Sequence, residues 1–149
     1  MDNISKDITY SIPVKSHVFK FICGHVDVDP FKVTTQNEFG IVLFMCLERK
    51  PKLVEKRLEY PERMMIRIPK KHADYQGVYL SNKKIDLFNR IIERMMKREL
   101  FAMLNEGNRS KGDIKRIIFS FRDFYGINDT ELEYSNLRKD YDRFRGLVK

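Results

Sequence analysis

The stretch TQNEFGIVLFMCLER, residues 35–49, decides the fold. Thr35 and Glu38 have the spacing of a capping box, in which the threonine hydroxyl accepts a backbone N–H and the glutamate reaches back to another. The residues that follow are apolar on almost every side of a helix: Phe39, Ile41, Val42, Leu43, Phe44, Met45 and Leu47. A helix without a polar face is buried. We therefore expect a helix over residues 36–49 at the centre of the core.

Outward from this helix, apolar residues recur at helical spacing in four other places. After a polar lead-in over residues 1–11, Pro13 suits the first turn of a helix that ends at Gly24. Ser81 is a good N-cap for the longest helix. Gly126 suits the left-handed position that ends another helix. The predicted helices cover residues 14–23, 82–105 and 111–125, and the last begins near residue 135.

Strand composition is limited to short runs. Residues 26–34 suit an extended segment, and MMIRIP (64–69) and VYL (78–80) are apolar runs that can pair as a hairpin around Gly77, with a loop between them. The fold class is therefore mainly α, with about five helices around the 36–49 helix and one small β-hairpin or short strand pair near residues 64–80. We expect a helical core over residues 1–106 and a C-terminal helix pair over 107–149, packed as one compact unit.

The charge of the chain is strongly positive and unevenly distributed. The 149 residues carry 29 Lys and Arg against 21 Asp and Glu, a net charge of +8. Residues 48–99 hold fifteen basic and eight acidic residues, and residues 107–149 hold ten and seven. A basic block of this kind attracts polyanions and speeds encounter with them. A lysine-rich surface that only keeps the protein soluble is the alternative.

Several other chemistries have little support in the sequence. Cys23 and His25 form half a zinc site without a second half at metal-ligand spacing. Asp27 and Asp29 could bind Mg²⁺ or share a proton, but a polar strand face explains them more simply. The chain lacks a phosphate-binding glycine motif and a nucleophile elbow. We therefore expect no enzyme activity, no cofactor and no metal.

The location expected from the sequence is intracellular and cytoplasmic. The N-terminal residues lack the apolar core of a signal peptide, and no apolar run approaches the ~18 residues of a membrane span. We therefore expect no membrane association. The two cysteines lie in apolar surroundings and are expected to be reduced.

The C-terminal helix pair carries the most specific pattern. Tyr125-Gly126-Ile127 forms a corner between two amphipathic helices, and the second helix contains RKDYDRFR, residues 138–145. Residues 110–146 resemble the C-terminal helix-turn-helix of small DNA-binding proteins encoded by phages and mobile elements. This resemblance implies DNA binding and transcriptional regulation through the last helix. Arg122 stands where such motifs have a small residue, and Asp140 and Asp142 would repel phosphate.

The expected function is binding of nucleic acid, double-stranded DNA in particular, through the last helix and the basic middle segment. Base-edge or phosphate contacts are expected from Arg138, Lys139 and Arg143, and phosphate contacts from Lys70, Lys71, Arg109, Lys111 and Arg145. The alternative is a non-enzymatic adaptor or virion-type structural protein that binds an acidic protein or another copy of itself. Its methionines would then form an adaptable surface.

Overall fold

The computed structural model describes residues 6–50, 58–107, 110 and 112–146. Over these residues the chain is mainly helical with a small sheet, which confirms the predicted fold class. It forms two compact units, Met1–Ile92 and Glu93–Lys149, which divide inside the longest helix, whereas the sequence placed the division at the end of that helix. The elements are β1 (Ile8–Val14), α1 (Ser16–Cys23), β2 (Phe31–Lys32), α2 (Glu38–Cys46), β3 (Glu62–Ile68), α3 (Lys70–Gln76), α4 (Asn82–Gly107), α5 (Asp113–Tyr125) and α6 (Tyr134–Phe144).

The sheet lies in the first unit and has β3 at its centre, in the order β1-β3-β2. β1 pairs with β3 antiparallel over seven residues, and β2 pairs with it in parallel. Met64, Ile66 and Ile68 of β3 are fully buried. The residues between them are exposed, because successive side chains of a strand point to opposite faces. One face of the sheet therefore covers the core, and β3 presents Arg63, Met65 and Arg67 on the other.

The predicted polar lead-in over residues 1–11 is wrong from Ile8 onward, because Ile8–Val14 forms strand β1, and residues 1–5 lie outside the described residues. Ile12 and Val14 are buried, and they alternate with residues of the other face as a strand requires. Pro13 lies inside this strand rather than in a helix. A proline is tolerated there because β1 is an edge strand, so a missing N–H interrupts no inner ladder.

The predicted hairpin of residues 64–69 with 78–80 is also wrong. The partners of β3 are β1 and β2, both earlier in the chain, and Tyr79 instead forms a single bridge with Glu48. The segment expected to be a loop is helix α3, which begins after Pro69 and ends at Gly77. Gly77 has a φ of 100°, and a Cβ on it would lie 2.2 Å from the carbonyl oxygen of Glu48. Only glycine fits this position.

The helix expected to be the centre of the core is shorter and less buried than predicted. α2 begins at Glu38, and its cap is Asn37, whose side chain accepts the N–H of Gly40 at 2.8 Å, so the capping box at Thr35 is not formed. Leu43 is fully buried, but Ile41 and Met45 are 40% and 68% exposed. The uniformly apolar sequence correctly predicted a helix here, but only one side of that helix is buried.

The longest helix, α4, begins as the sequence predicts, with the Ser81 hydroxyl oxygen accepting the N–H of Lys84 at 3.2 Å. In the first unit, the buried Asn89 of α4 accepts the N–H of Lys15 at 2.9 Å and donates to the carbonyl oxygen of Ile85 at 2.9 Å. This amide ties the junction of β1 and α1 to the helix. Within the part of the chain that the structure describes, no helix is both long and apolar enough to cross a membrane.

In the second unit, α5 and α6 meet at the predicted glycine corner. Gly126 has a φ of 70°, and Ile127 donates its N–H to the carbonyl oxygen of Arg122 at 2.8 Å, as in a Schellman motif. A short turn over residues 128–132 then leads to α6. Ile127 and Leu132 are buried at this corner. Phe124, near the end of α5, is 77% exposed.

Arg122 stabilises the corner from inside. Its guanidinium is buried, lies 2.6 Å from Oδ1 of Asp129 and donates to the carbonyl oxygen of Leu132 at 2.9 Å. The guanidinium also lies over the ring of Phe119, with its carbon 4.8 Å from the ring centroid. The same oxygen of Asp129 accepts the N–H of Tyr134, the first residue of α6. The large residue at the position where a helix-turn-helix has a small one is therefore the connector between the two helices.

Because Gly77 packs directly against the backbone of Glu48, we expect its substitution to destabilise the protein strongly. Gly77→Ala adds backbone overlap with Glu48 to the strain of a positive φ. Gly112→Ala is a matched control, because Gly112 has a φ of 97° and nothing within 4 Å of its Cβ position. In urea unfolding we expect Gly77→Ala to lose about 1–3 kcal/mol more than Gly112→Ala, the usual cost of overpacking. Equal losses would show that the two segments do not approach closely.

The corner predicts that Arg122→Met destabilises the protein. The variant leaves the carbonyl oxygen of Leu132 without its charged donor, a change that costs about 1–3 kcal/mol. Asp129→Asn is the milder partner variant, because the amide oxygen can still accept from Tyr134. Urea unfolding at pH 7 measures the two losses of stability, and we expect the larger one in Arg122→Met. A larger loss in Asp129→Asn than in Arg122→Met would contradict it.

The same pair predicts a pH dependence. The N–H of Tyr134 and then the guanidinium of Arg122 lower the pKa of Asp129 below its ordinary value. A lowered carboxyl pKa stabilises the fold above the ordinary value of about 4, and this contribution is lost as the pH falls through the folded pKa. We expect the stability difference between wild type and Asp129→Asn to shrink between about pH 5 and pH 2. A difference that stays constant over this range would contradict the assignment.

Candidate functional site

The arginines predicted on the last helix are engaged by carboxylates of the same helix. Nε of Arg138 lies 3.5 Å from Oδ2 of Asp142, and Nη1 of Arg143 lies 3.6 Å from Oδ1 of Asp140. Asp140 also accepts from the ammonium of Lys97 at 2.8 Å. Pairs at these spacings are typical of a solvated helix face. They reduce the positive field that α6 presents to a phosphate.

The other residues predicted in the C-terminal region lie in different settings. Lys139 is exposed and has no ion-pair partner among the described residues. The guanidinium of Arg145 lies over the ring of Tyr141, 4.7 Å from its centroid. Arg109 and Lys111 lie outside the described residues. The helix face predicted to contact DNA therefore offers one unpaired lysine and two arginines in ion pairs.

A second group of bases gathers in the first unit, where the sequence predicted Lys70 and Lys71. Both are exposed at the start of α3, directly after β3. Lys32 of β2 is the register partner of Arg67 of β3, so two more exposed bases lie side by side on the same sheet. A depression of about 520 Å³, hereafter the basic groove, is lined by Asp7, Lys32, Pro69, Lys70, Lys71 and Asp74.

Two carboxylates accompany these bases. Asp7 accepts the backbone N–H of Lys70 at 3.4 Å, and its other oxygen lies 3.8 Å from Nε of Arg67. Asp74 lies one helical turn after Lys70 and is exposed. Arg67 and the three lysines of the basic groove therefore outnumber the two acids. The surface keeps a positive excess, and Asp7 also positions the backbone at the start of α3.

The surroundings of His72 indicate that lysines from different elements lie close together. Its ring packs against Phe44 of α2, with centroids 4.9 Å apart. Burial lowers the pKa of His72 first, and the charges of Lys71 and Lys32 lower it further. Two lysines from α3 and β2 thus act on one imidazole. The tertiary fold concentrates positive charge here, which is the requirement for binding a phosphate chain.

The sequence missed Lys32 and Arg67 as members of this group. Arg67 could have been recognised, because it alternates with the apolar residues of MMIRIP and must point away from the core. Lys32 gave no such signal. Its place beside Arg67 comes from the parallel pairing of β2 with β3, which no local pattern encodes.

The residues considered for other chemistries have the following settings in the part of the chain that the structure describes. The Oδ1 atom of Asp27 accepts the backbone N–H of Asp29 at 3.1 Å, as in a local turn. Burial and then the charge of Glu62 raise the pKa of the Cys23 thiol, which disfavours a reactive thiolate. Among the residues that the structure describes, no three His, Cys, Asp or Glu side chains gather as metal ligands would.

Comparisons with protein-family models, with curated proteins and with solved structures find no match to this chain. The resemblance of residues 110–146 to a phage-type helix-turn-helix therefore stays a prediction. What the surface can bind must be argued from its own charges, exposure and geometry. On those grounds the basic groove is the strongest candidate site.

Proposed function

We propose that this protein binds nucleic acid and that the basic groove is its principal contact. The observation that carries the proposal is the convergence of Lys32, Arg67, Lys70 and Lys71 from three elements onto one surface. Lysine binds phosphate as a point charge and arginine binds it bidentately, and both release condensed counterions when they do. A concave surface with several such groups suits a phosphate backbone better than it suits a single small anion.

The C-terminal corner supports the narrower proposal of a transcriptional regulator that reads duplex DNA. In its favour are the glycine corner and the exposed Lys139. Against it are the ion pairs of Arg138 and Arg143 with Asp142 and Asp140. If Arg138 or Arg143 left its ion pair to contact a base edge, the carboxylate of its partner would face the DNA. In the basic groove Arg67 forms a similar ion pair with Asp7, but Lys32, Lys70 and Lys71 form none among the described residues, and for this reason we give the groove priority.

A protein-interaction adaptor is the second candidate. It is favoured by the outer face of α2, where Ile41 and Met45 lie one turn apart and are exposed. Methionine adapts its shape to varied partners, and the positive charge of the chain would select an acidic one. Binding to acidic polypeptide rather than nucleic acid is thus the outcome that would favour this candidate.

The basic groove predicts a specific change in salt dependence. The double variant Lys70→Gln/Lys71→Gln removes two positive charges from the groove. If both lysines contact phosphate, the slope of log K against log salt concentration becomes shallower by about 1.4–1.8, the sum of two contacts. Fluorescence anisotropy with a labelled oligonucleotide at several salt concentrations measures this slope.

The matched control is Arg138→Gln/Arg143→Gln, which lowers the net charge equally but acts on α6. We expect it to leave the slope close to that of wild type. If the control abolishes salt-sensitive binding and the lysine variant does not, the contact lies on the C-terminal helix and the basic groove is the wrong site. If wild type binds no nucleic acid with any salt dependence, the proposed function is wrong.

A further inference from the structure

Helix α3 carries an exposed aromatic ring beside the basic groove. Tyr75 lies one helical turn after Lys71, so the two side chains share a face of the helix. His72, three residues before Tyr75 on α3, packs against Phe44. Tyr75 is 71% exposed, although it is large and mostly apolar. The ring thus stands in solvent next to a lysine of the groove.

An arginine is hydrogen-bonded to the backbone of this tyrosine. Nη2 of Arg49 donates to the carbonyl oxygen of Tyr75 at 2.8 Å. The bond uses one of the five N–H donors of the guanidinium and leaves others to face outward. Tyr75 therefore has Lys71 one helical turn before it, and Arg49 binds its backbone carbonyl oxygen.

A second tyrosine, Tyr79, is hydrogen-bonded to the segment that contains Arg49. Tyr79 exchanges two backbone hydrogen bonds with Glu48, the residue before Arg49, at 2.8 and 3.0 Å. Gly77, between the two tyrosines, allows this close approach because it has no side chain. Tyr79 is 44% exposed. Residues Arg49, Lys71, Tyr75 and Tyr79, hereafter the tyrosine platform, thus belong to two segments that hydrogen bonds hold together.

We propose that the tyrosine platform stacks unpaired bases, so that the preferred ligand is single-stranded nucleic acid rather than a duplex. The inference rests on the proposed function, since the basic groove supplies the contacts to the phosphate backbone. Single-strand binding sites combine a positive groove with aromatic rings on which bases stack. A duplex hides the faces of its bases, so an exposed ring can gain little from it. The bases leave the strand toward Tyr75, while Lys71 and Arg49 contact the flanking phosphates.

The charges around the ring favour nucleic acid over an acidic polypeptide. Carboxylates would satisfy Lys71 and Arg49, but they have no flat surface for the ring of Tyr75. A nucleotide offers a phosphate and a base within one residue of its chain. The alternation of cation and aromatic ring on the platform matches that pattern.

The test compares the affinity of the protein for one oligonucleotide sequence as a single strand and as a duplex. Fluorescence anisotropy is measured with a labelled 15-nucleotide single strand of mixed sequence, as DNA and as RNA, and with the corresponding 15-base-pair duplex. We expect wild type to bind a single strand more tightly than the duplex. Tyr75→Ala should weaken single-strand binding about 5- to 100-fold, the effect of removing one stacking ring. Its duplex binding should stay within about twofold of wild type.

Two variants control for loss of structure and for general aromatic stickiness. Tyr75→Phe keeps the ring and should bind the single strand within about twofold of wild type. Phe124→Ala removes a ring that is 77% exposed in the second unit and should leave binding unchanged. Circular dichroism checks that each variant is folded, which we expect because both rings are exposed.

The outcomes separate this inference from the proposed function. Equal or tighter binding of the duplex, with Tyr75→Ala unchanged and Lys70→Gln/Lys71→Gln weakened, overturns the platform but keeps the groove. An equal loss in Phe124→Ala and Tyr75→Ala also overturns it. Wild type that binds poly-glutamate but neither form of nucleic acid overturns both proposals in favour of an acidic protein partner.

Discussion

The antiparallel pairing of β1 with β3 is the constraint on which the first unit depends. It joins Ile8 to Ile68 and Val14 to Glu62, residues far apart in the chain. The pairing fixes which side chains of β3 face the core and which face solvent, because a shift of one residue would exchange the two faces. It also fixes where β3 ends, and therefore where α3 begins with its two lysines. The basic groove is a consequence of this register.

The second unit is organised by a shorter-range interaction. Arg122 and Asp129 are seven positions apart, and between them they hold the last turn of α5, the corner and the first residue of α6. A buried guanidinium is tolerated here because an acid, a carbonyl oxygen and an aromatic ring surround it. The basic residue in this motif is thus a structural one. Counting positive charge along the C-terminal sequence overstated what the surface of this unit offers to a partner.

The two units therefore differ in how their charge is arranged. On α6, acids and bases lie at helical spacing, and Arg138 and Arg143 each pair with a carboxylate of the same helix. In the first unit, bases come from β2, β3 and α3, and the described lining of the basic groove contains two acids, Asp7 and Asp74. Charges within one helix are set by sequence spacing alone. Charges on different elements gather only when the tertiary structure brings those elements together, and this is where the positive excess remains.

The sequence by itself determined the helical class, the start of α4 at Ser81 and the end of α5 at Gly126, because caps and helical periodicity are local. It also predicted that Lys70 and Lys71 contact phosphate. It did not determine that residues 8–14 form a strand, since that strand exists only through pairing with β3. Nor did it reveal α3, whose exposed residues show no apolar repeat, or the meeting of Lys32 with Arg67 and of Arg49 with Tyr75. Those placements were decided by tertiary structure, because strand pairing and the packing of Gly77 on Glu48 join residues that no local pattern connects.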